Sequence, residues 1–245
     1  EPAKYEKMIH SWLDSDDELE RKAGLIAAGE SRNTSYASKL EEMLDNKENT
    51  SLLPFILRSL DHLKIKEPNV LFSPYLSHEQ ESVRLAAVEG FTIDHEESLR
   101  RIIPLMDDSS EKVRKLAKER INSSTYHTRS ILIESLSIPR HNLREGIYEL
   151  LSSQNIKDID VYHYARTQVK KAYICLAQGE ALGLMPKCPE HDLLTDHLKQ
   201  KKMQLLENVL RVLATQELLG SGQMRMIWRG VTSTDSRRRS NSIEI

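Results

Sequence analysis

The residues with the most chemistry in them are a set of arginines at repeated places, a Cys-Cys-His group, and a basic stretch near the end of the chain. Arg84 and Arg114 each follow a valine and stand 30 residues apart, and Arg21 takes the corresponding place earlier. A guanidinium offers five donors in a planar fork, so such a row could grip carboxylates or phosphates. Cys175, Cys188 and His191 supply the thiolates and imidazole that suit zinc. The two cysteines are 13 residues apart, however, with no C-x-x-C and no fourth ligand in the pattern, so no metal is expected. Cys175, between Ile174 and Leu176, reads as helix core, and Cys188 as a loop thiol. The paired acids Asp16-Asp17 and Asp107-Asp108 fall in turns, where capping of the following helix accounts for them. No Gly-rich phosphate loop, G-x-S-x-G elbow or H-E-x-x-H is present, and the histidines are scattered singly. These absences predict no catalytic residues, no cofactor and no enzyme.

Residues 220–243 carry five Arg against a single Asp. Arg225, Trp228, Arg229, Arg237, Arg238 and Arg239 could therefore contact an acidic protein surface, phosphates or lipid headgroups. A solvated helix face packed on a neighbour explains the same residues, and that is the expectation for them. Ser240 follows the arginines as a basic-directed phosphorylation site would, a pattern too short to decide anything.

These side chains need elements to hold them. Laid on itself with a shift of 30, the stretch from Leu76 superposes Pro74 on Pro104, Leu76 on Met106, Val83 on Val113, Arg84 on Arg114 and Ala87 on Ala117. Two short helices with their turns require a period of this length, so an array of helical repeats is predicted. Helix-end apolar residues at Leu13, Leu44, Leu76 and Met106 keep steps of 31, 32 and 30 residues, which puts four repeats in register. The predicted pairs are Tyr5 to Trp12 with Glu18 to Ala28, Ser35 to Leu44 with Ser51 to Leu63, and the two that flank Leu76 and Met106. Apolar or small residues recur at three- and four-residue steps within each second helix, as at Val83, Ala86, Ala87 and Val88, and at Val113, Leu116, Ala117 and Ile121. A fifth pair, Thr125 to Ser137 and Arg140 to Leu151, has Pro139 at its turn in place of the acids. The organisation is thus about five repeats over 1–153 and a helical continuation or cap over 154–245.

In that second part the pattern lengthens to helices over Val161 to Leu182 and Asp192 to Leu219. The latter has a seam at Leu194, Leu198, Leu205, Val209, Leu213 and Leu219. Gly220-Ser221-Gly222 stops it, a short helix covers Met224 to Gly230, and Ser233-Thr234-Asp235 forms the N-cap of a last helix.

Composition agrees with an all-α reading. Aromatic residues make up 5% and charged residues 29% of the 245, with 9 Gly and 8 Pro, which suits helices with solvated outer faces and suits a sandwich or barrel poorly. Lys plus Arg (35) nearly balances Asp plus Glu (37), so no global field draws the chain to nucleic acid or an anionic membrane. Two cysteines make no disulfide framework, which favours a reducing, cytoplasmic compartment. No apolar run reaches the length of a membrane-spanning helix, and no signal peptide is visible. The missing initial Met and the stop at Ile245 suggest a piece of a longer multidomain chain, so membrane association through flanking domains stays open.

Pro104, Leu105, Met106, Asp107, Val113, Arg114 and Ala117 together resemble a HEAT repeat. Pro74, Leu76, Val83, Arg84, Ala86 and Ala87 repeat the likeness with Ser77 in place of the Asp, and Leu13, Asp14, Arg21 and Ala23 match it in part. The resemblance covers residues 5–121 well and 122–153 weakly. It implies an α-solenoid, an ARM-like superhelix of antiparallel helix pairs stacked right-handedly. It also implies that the arginines meet turn acids of the same or a neighbouring repeat, giving a structural ladder of Asp14, Arg21, Arg84, Asp107 and Arg114. The end of the chain is similar, more faintly, to the HEAT-containing region of multidomain bacterial proteins with a transporter-like membrane domain.

The function these features predict is a non-enzymatic protein-interaction scaffold. Its second-helix face would engage another protein or neighbouring domains of the same polypeptide, with no nucleic acid and no membrane insertion by this segment. One alternative is a regulatory cytosolic module attached to a membrane transporter. Another is a HEAT-like DNA-binding or DNA-repair enzyme, which would need a cationic groove along the array.

Overall fold

The computed structural model describes residues 2–153, 159–186 and 189–214, together with 226, 227, 229, 230, 233, 235 and 237. Among these the regular structure is entirely helical, with no strand, as the composition predicts. The chain divides into two compact units, Glu1–Thr128 and Arg129–Ile245, so the fifth predicted helix pair, all but its residues 125–128, lies within the second.

The first unit holds α1 (Pro2–Leu13), α2 (Glu18–Ser31), α3 (Ala37–Asp45), α4 (Leu53–His62), α5 (Pro68–Phe72), α6 (Glu81–Gly90), α7 (Glu96–Ile102) and α8 (Glu111–Ser123). Local chemistry marks the boundaries. Asp17 caps α2 by accepting from the Leu19 N–H at 2.7 Å, and Pro54 sits in the first turn of α4, where a missing N–H costs nothing. Pro74 and Pro104 each stand at the start of a 3-10 segment, Ser73–Ser77 after α5 and Ile103–Asp107 after α7. The shift of 30 in sequence is thus a repeat of backbone conformation.

The even-numbered helices pack in succession, α2 on α4, α4 on α6 and α6 on α8, while α1 packs on α2, α3 on α4, and α7 on α8. Their facing stripes are buried: Leu25 and Ala28 on α2, Ile56, Leu57 and Leu60 on α4, Val83, Ala86 and Ala87 on α6, and Val113, Ala117 and Ile121 on α8. Small residues set the spacing. A Cβ at Gly29 would come within 2.9 Å of the Ser59 Cα, so α2 and α4 touch nearly backbone to backbone there. Ser59 Oγ, buried in that contact, donates to the Leu25 carbonyl at 2.7 Å. On α6, Gly90 leaves room for the fully buried ring of Phe72, whose Cζ would lie 2.3 Å from an added Cβ.

The second unit consists, in its described part, of α9 (Arg129–Ser135), α10 (His141–Ser153), α11 (Ile159–Gly183) and α12 (Pro189–Ala214). The last two pair along their length. Ala172 and Cys175 of α11 close against Leu205 of α12, flanked by Leu198 and Leu206. The buried seam of α12 continues through Val209 and Val212, whereas Leu213 is only half-buried and Leu194 stays exposed. Val212 stands seven residues, close to two full turns, after Leu205 and so stays on the stripe, and Leu213 falls one position off it. The part of the predicted helix beyond Ala214, with Leu219 and Gly220-Ser221-Gly222, lies outside the described residues.

Polar contacts join α10 to α12. The Tyr148 hydroxyl donates to Asn208 Oδ1 at 3.2 Å, the Arg211 guanidinium grips the Glu145 carboxylate with both nitrogens, and it stacks over the Tyr148 ring with its carbon 4.2 Å from the centroid. The Arg211 hydrogen bonds hold the Glu145 carboxyl below its usual range against the opposing effect of burial. Burial raises the Tyr164 phenol to about 12, and its hydroxyl is buried without a hydrogen-bond partner among the described residues.

Candidate interaction face

The turns that precede the even-numbered helices share one hydrogen bond. Ser15 Oγ accepts from the Asp17 N–H at 3.1 Å, Asn46 Oδ1 from Glu48 at 3.0 Å, His78 Nδ1 from Gln80 at 3.1 Å, and Asp108 Oδ1 from Ser110 at 2.8 Å. Each acceptor lies two residues after one of the helix-end apolar positions Leu13, Leu44, Leu76 and Met106. Four different side chains thus perform the same local task at the same place in the period. The Asx-type geometry that Asp and Asn favour is reproduced by a serine hydroxyl and an imidazole nitrogen.

The arginines use these turns. Arg84 Nη1 donates to the His78 and Glu79 carbonyls, both at 2.8 Å, and Arg114 Nη1 donates to the Asp108 and Ser109 carbonyls at 2.7 and 3.1 Å. Each arginine therefore ties its helix to its own turn. Arg84 alone adds the next repeat: its Nε and Nη2 meet the two Asp108 carboxylate oxygens, each at 2.8 Å, with side-chain exposures of 11% and 8%. Burial opposes ionisation of Asp108, but the Arg84 hydrogen bonds, the Ser110 N–H and the Ser109 hydroxyl outweigh it and hold the carboxyl below its usual range.

The carboxylate in the Arg84 fork is thus the neighbour of Asp107, which ends the 3-10 segment. Asp14 pairs with Lys39 at 2.8 Å, and Arg21 Nε is buried without a hydrogen-bond partner among the described residues. The reason for the difference can be read along the sequence. The position that Asp108 fills for Arg84 is Asn46 for Arg21, a neutral residue, and one period beyond Asp108 stands Ile138. Of the three arginines, only Arg84 has an acid at that position of the following turn.

A second set of contacts crosses the exposed sides of the even-numbered helices. Glu30 meets His62 at 3.3 Å, Arg58 meets Glu89 at 2.8 Å, and Glu81 meets Lys112 at 3.8 Å. The Lys22 ammonium lies 5.5 Å from the Phe55 ring centroid. Between these pairs the face carries apolar groups, with Leu19 and Ile26 exposed and Leu85 and Leu116 half-buried. The result is a surface spanning four helices, mixed in sign and studded with apolar side chains. Sequence reasoning did not single out these pairs, although a signal exists: Arg58 with Glu89 and Glu81 with Lys112 are opposite charges about one period apart.

Asp61, near the end of α4, is half-buried, and desolvation raises its carboxyl above the usual range in spite of the nearby Arg120 charge. Cys175 is buried in the α11–α12 seam, and His191 Nε2 lies 2.6 Å from the Leu182 carbonyl oxygen. No cluster of three or more His, Cys, Asp or Glu side chains suited to a metal occurs among the described residues. Cys188, Arg225, Trp228, Arg238 and Arg239 lie outside the described residues, while Arg229 and Arg237 are exposed. The predicted cap is formed in part, since Asp235 Oδ1 accepts from the Arg237 N–H at 2.9 Å. No described helix is long and apolar enough to cross a membrane. In comparison with known proteins, no family model matches the chain and no curated protein matches it.

Proposed function

We propose that this chain is a non-enzymatic, cytoplasmic interaction scaffold of HEAT-like repeats. Its ligand is another protein, or a neighbouring domain of the same polypeptide, bound along the exposed sides of α2, α4, α6 and α8. The observation that carries this reading is the periodic construction of that face. The four turns repeat one hydrogen bond, and the helices they launch pack in succession, so side chains one period apart become neighbours. Solenoids bind by such extended faces, on which many modest contacts add up without a deep pocket. Charges of both signs on the face favour a protein surface of mixed charge over a polyanion, which would call for a continuous cationic track.

The test is capture of a partner by the immobilised 245-residue chain, compared with Leu19→Glu and Ile26→Glu. Both side chains are exposed, at 74% and 52%, so the substitutions leave the core intact. The expected outcome is a protein retained by the wild type and lost from both variants. Failure to retain any protein, or equal retention by the variants, would count against this face.

A further inference from the structure

Helix α11 has two long faces, and only one of them is covered. Tyr164, Gln168, Ala172 and Cys175 are buried on one side. About a third of a turn round the helix, at steps of three or four residues, stand Tyr162, Arg166, the half-buried Val169, Tyr173, Leu176 and Glu180, with Leu184 just past the helix end; Leu176 and Glu180 border the groove beside Cys175 where Leu198 and Lys202 of α12 lie. Tyr162 is 70% exposed, Tyr173 68% and Leu184 90%. A run of exposed large apolar side chains along one helix face is unusual on a monomer and marks a surface built to be covered.

The order of residues along this stripe says what covers it. Tyr173 is its centre: Arg166 lies seven residues before it and Glu180 seven after, Tyr162 eleven before and Leu184 eleven after. Val169, four before, is answered by Leu176, three after. In chemical terms the stripe is a palindrome except at the two charges, which are opposite in sign. Neither Arg166 nor Glu180 has an ion-pair or hydrogen-bond partner among the described residues.

We propose that this face is the interface of an antiparallel homodimer whose two-fold axis passes by Tyr173. A two-fold interface is made of the same patch twice, so residues equally far from the axis on either side must be complementary. Here Arg166 of each chain meets Glu180 of the partner subunit, Tyr162 faces the partner's Leu184, and the two Tyr173 side chains meet at the axis with Val169 and Leu176 beside them. The steps of four and three from Tyr162 to Leu184 average about 3.7 residues, close to the 3.6 of a straight helix, so the stripe keeps to one side of α11 along its length. An unrelated partner would require none of this symmetry.

Sedimentation equilibrium of the 245-residue chain, with circular dichroism to confirm folding, tests the assignment. The expected result is a concentration-dependent monomer–dimer equilibrium. Arg166→Glu and Glu180→Arg should each weaken it by roughly tenfold or more, because symmetry places every like-charge contact in the interface twice. The double reversal, Arg166→Glu with Glu180→Arg, should restore it. Both side chains are exposed, so the variants are expected to fold. A chain that stays monomeric up to about 0.1 mM, where even a weak specific interface would begin to show, overturns the proposal. So does a dimer indifferent to the single reversals, or one that both singles weaken and the double reversal fails to recover.

Discussion

Arg84 performs two tasks with one guanidinium. Nη1 closes its own turn on the His78 and Glu79 carbonyls, and the Nε–Nη2 fork holds Asp108 of the next repeat. Both side chains are nearly buried, so removing one leaves the other as an uncompensated charge. Arg84→Ala should therefore cost about 3 kcal/mol of stability. Arg114→Ala, which gives up only the carbonyl contacts of one turn, should cost less. Arg84→Lys should recover part of the loss, since an ammonium cannot form the fork. Asp108→Asn separates the two tasks of the acid, because its amide oxygen can still accept from Ser110. The pH dependence follows from the depressed Asp108 pKa. The pair contributes fully above the unfolded carboxyl value of 3.8 and is lost as pH falls through the lower folded value. Chemical unfolding across that acid range should show the wild type losing this increment while Arg84→Ala, which lacks it, stays comparatively flat. Equal acid sensitivity of the two proteins would remove Asp108 from the account.

At the level of elements, the second-helix stripes and their turns were legible in the sequence because they rest on local rules. The spacing of Val83, Ala86 and Ala87 follows the helical period, and Pro74 and Pro104 mark where α5 and α7 tighten. What stayed hidden depends on which neighbour a side chain reaches across a gap. The one-residue difference between Asp107 and Asp108 decides which carboxylate enters the Arg84 fork, and periodicity cannot resolve it. Arg21 shows the same limit: its place in the period is correct, but the following turn offers Asn46. Gly90 was equally silent, because the need for a glycine comes from the Phe72 ring laid against it. Gly90→Ala should thus destabilise the first unit by about 1–3 kcal/mol through overpacking, despite the better helix propensity of alanine. Adding Phe72→Leu in the same chain should cost less than Phe72→Leu alone, since the smaller side chain makes room for the new methyl group. Thermal unfolding of the two singles and the double measures the coupling, and simple additivity would mean that the ring moves aside freely.

For the molecule as a whole, the consequence of helices packed in succession is that stability is shared between neighbours. In such a chain of contacts, damage at one junction reaches adjacent elements first and fades along the array. Arg84 and Asp108 span the junction between α6 and α8, while α11 and α12 belong to the second compact unit with their own buried seam. Hydrogen exchange can follow this directly. In Arg84→Ala, amides of α6 and α8 should lose the most protection, those of α4 less and those of α2 less again. Amides of α11 and α12 should exchange as in the wild type. Equal loss of protection in all helices would mean that the two units unfold as one and that nearest-neighbour packing does not govern this chain. A graded loss would show that helices packed in this succession can open at one junction without surrendering the rest of the fold.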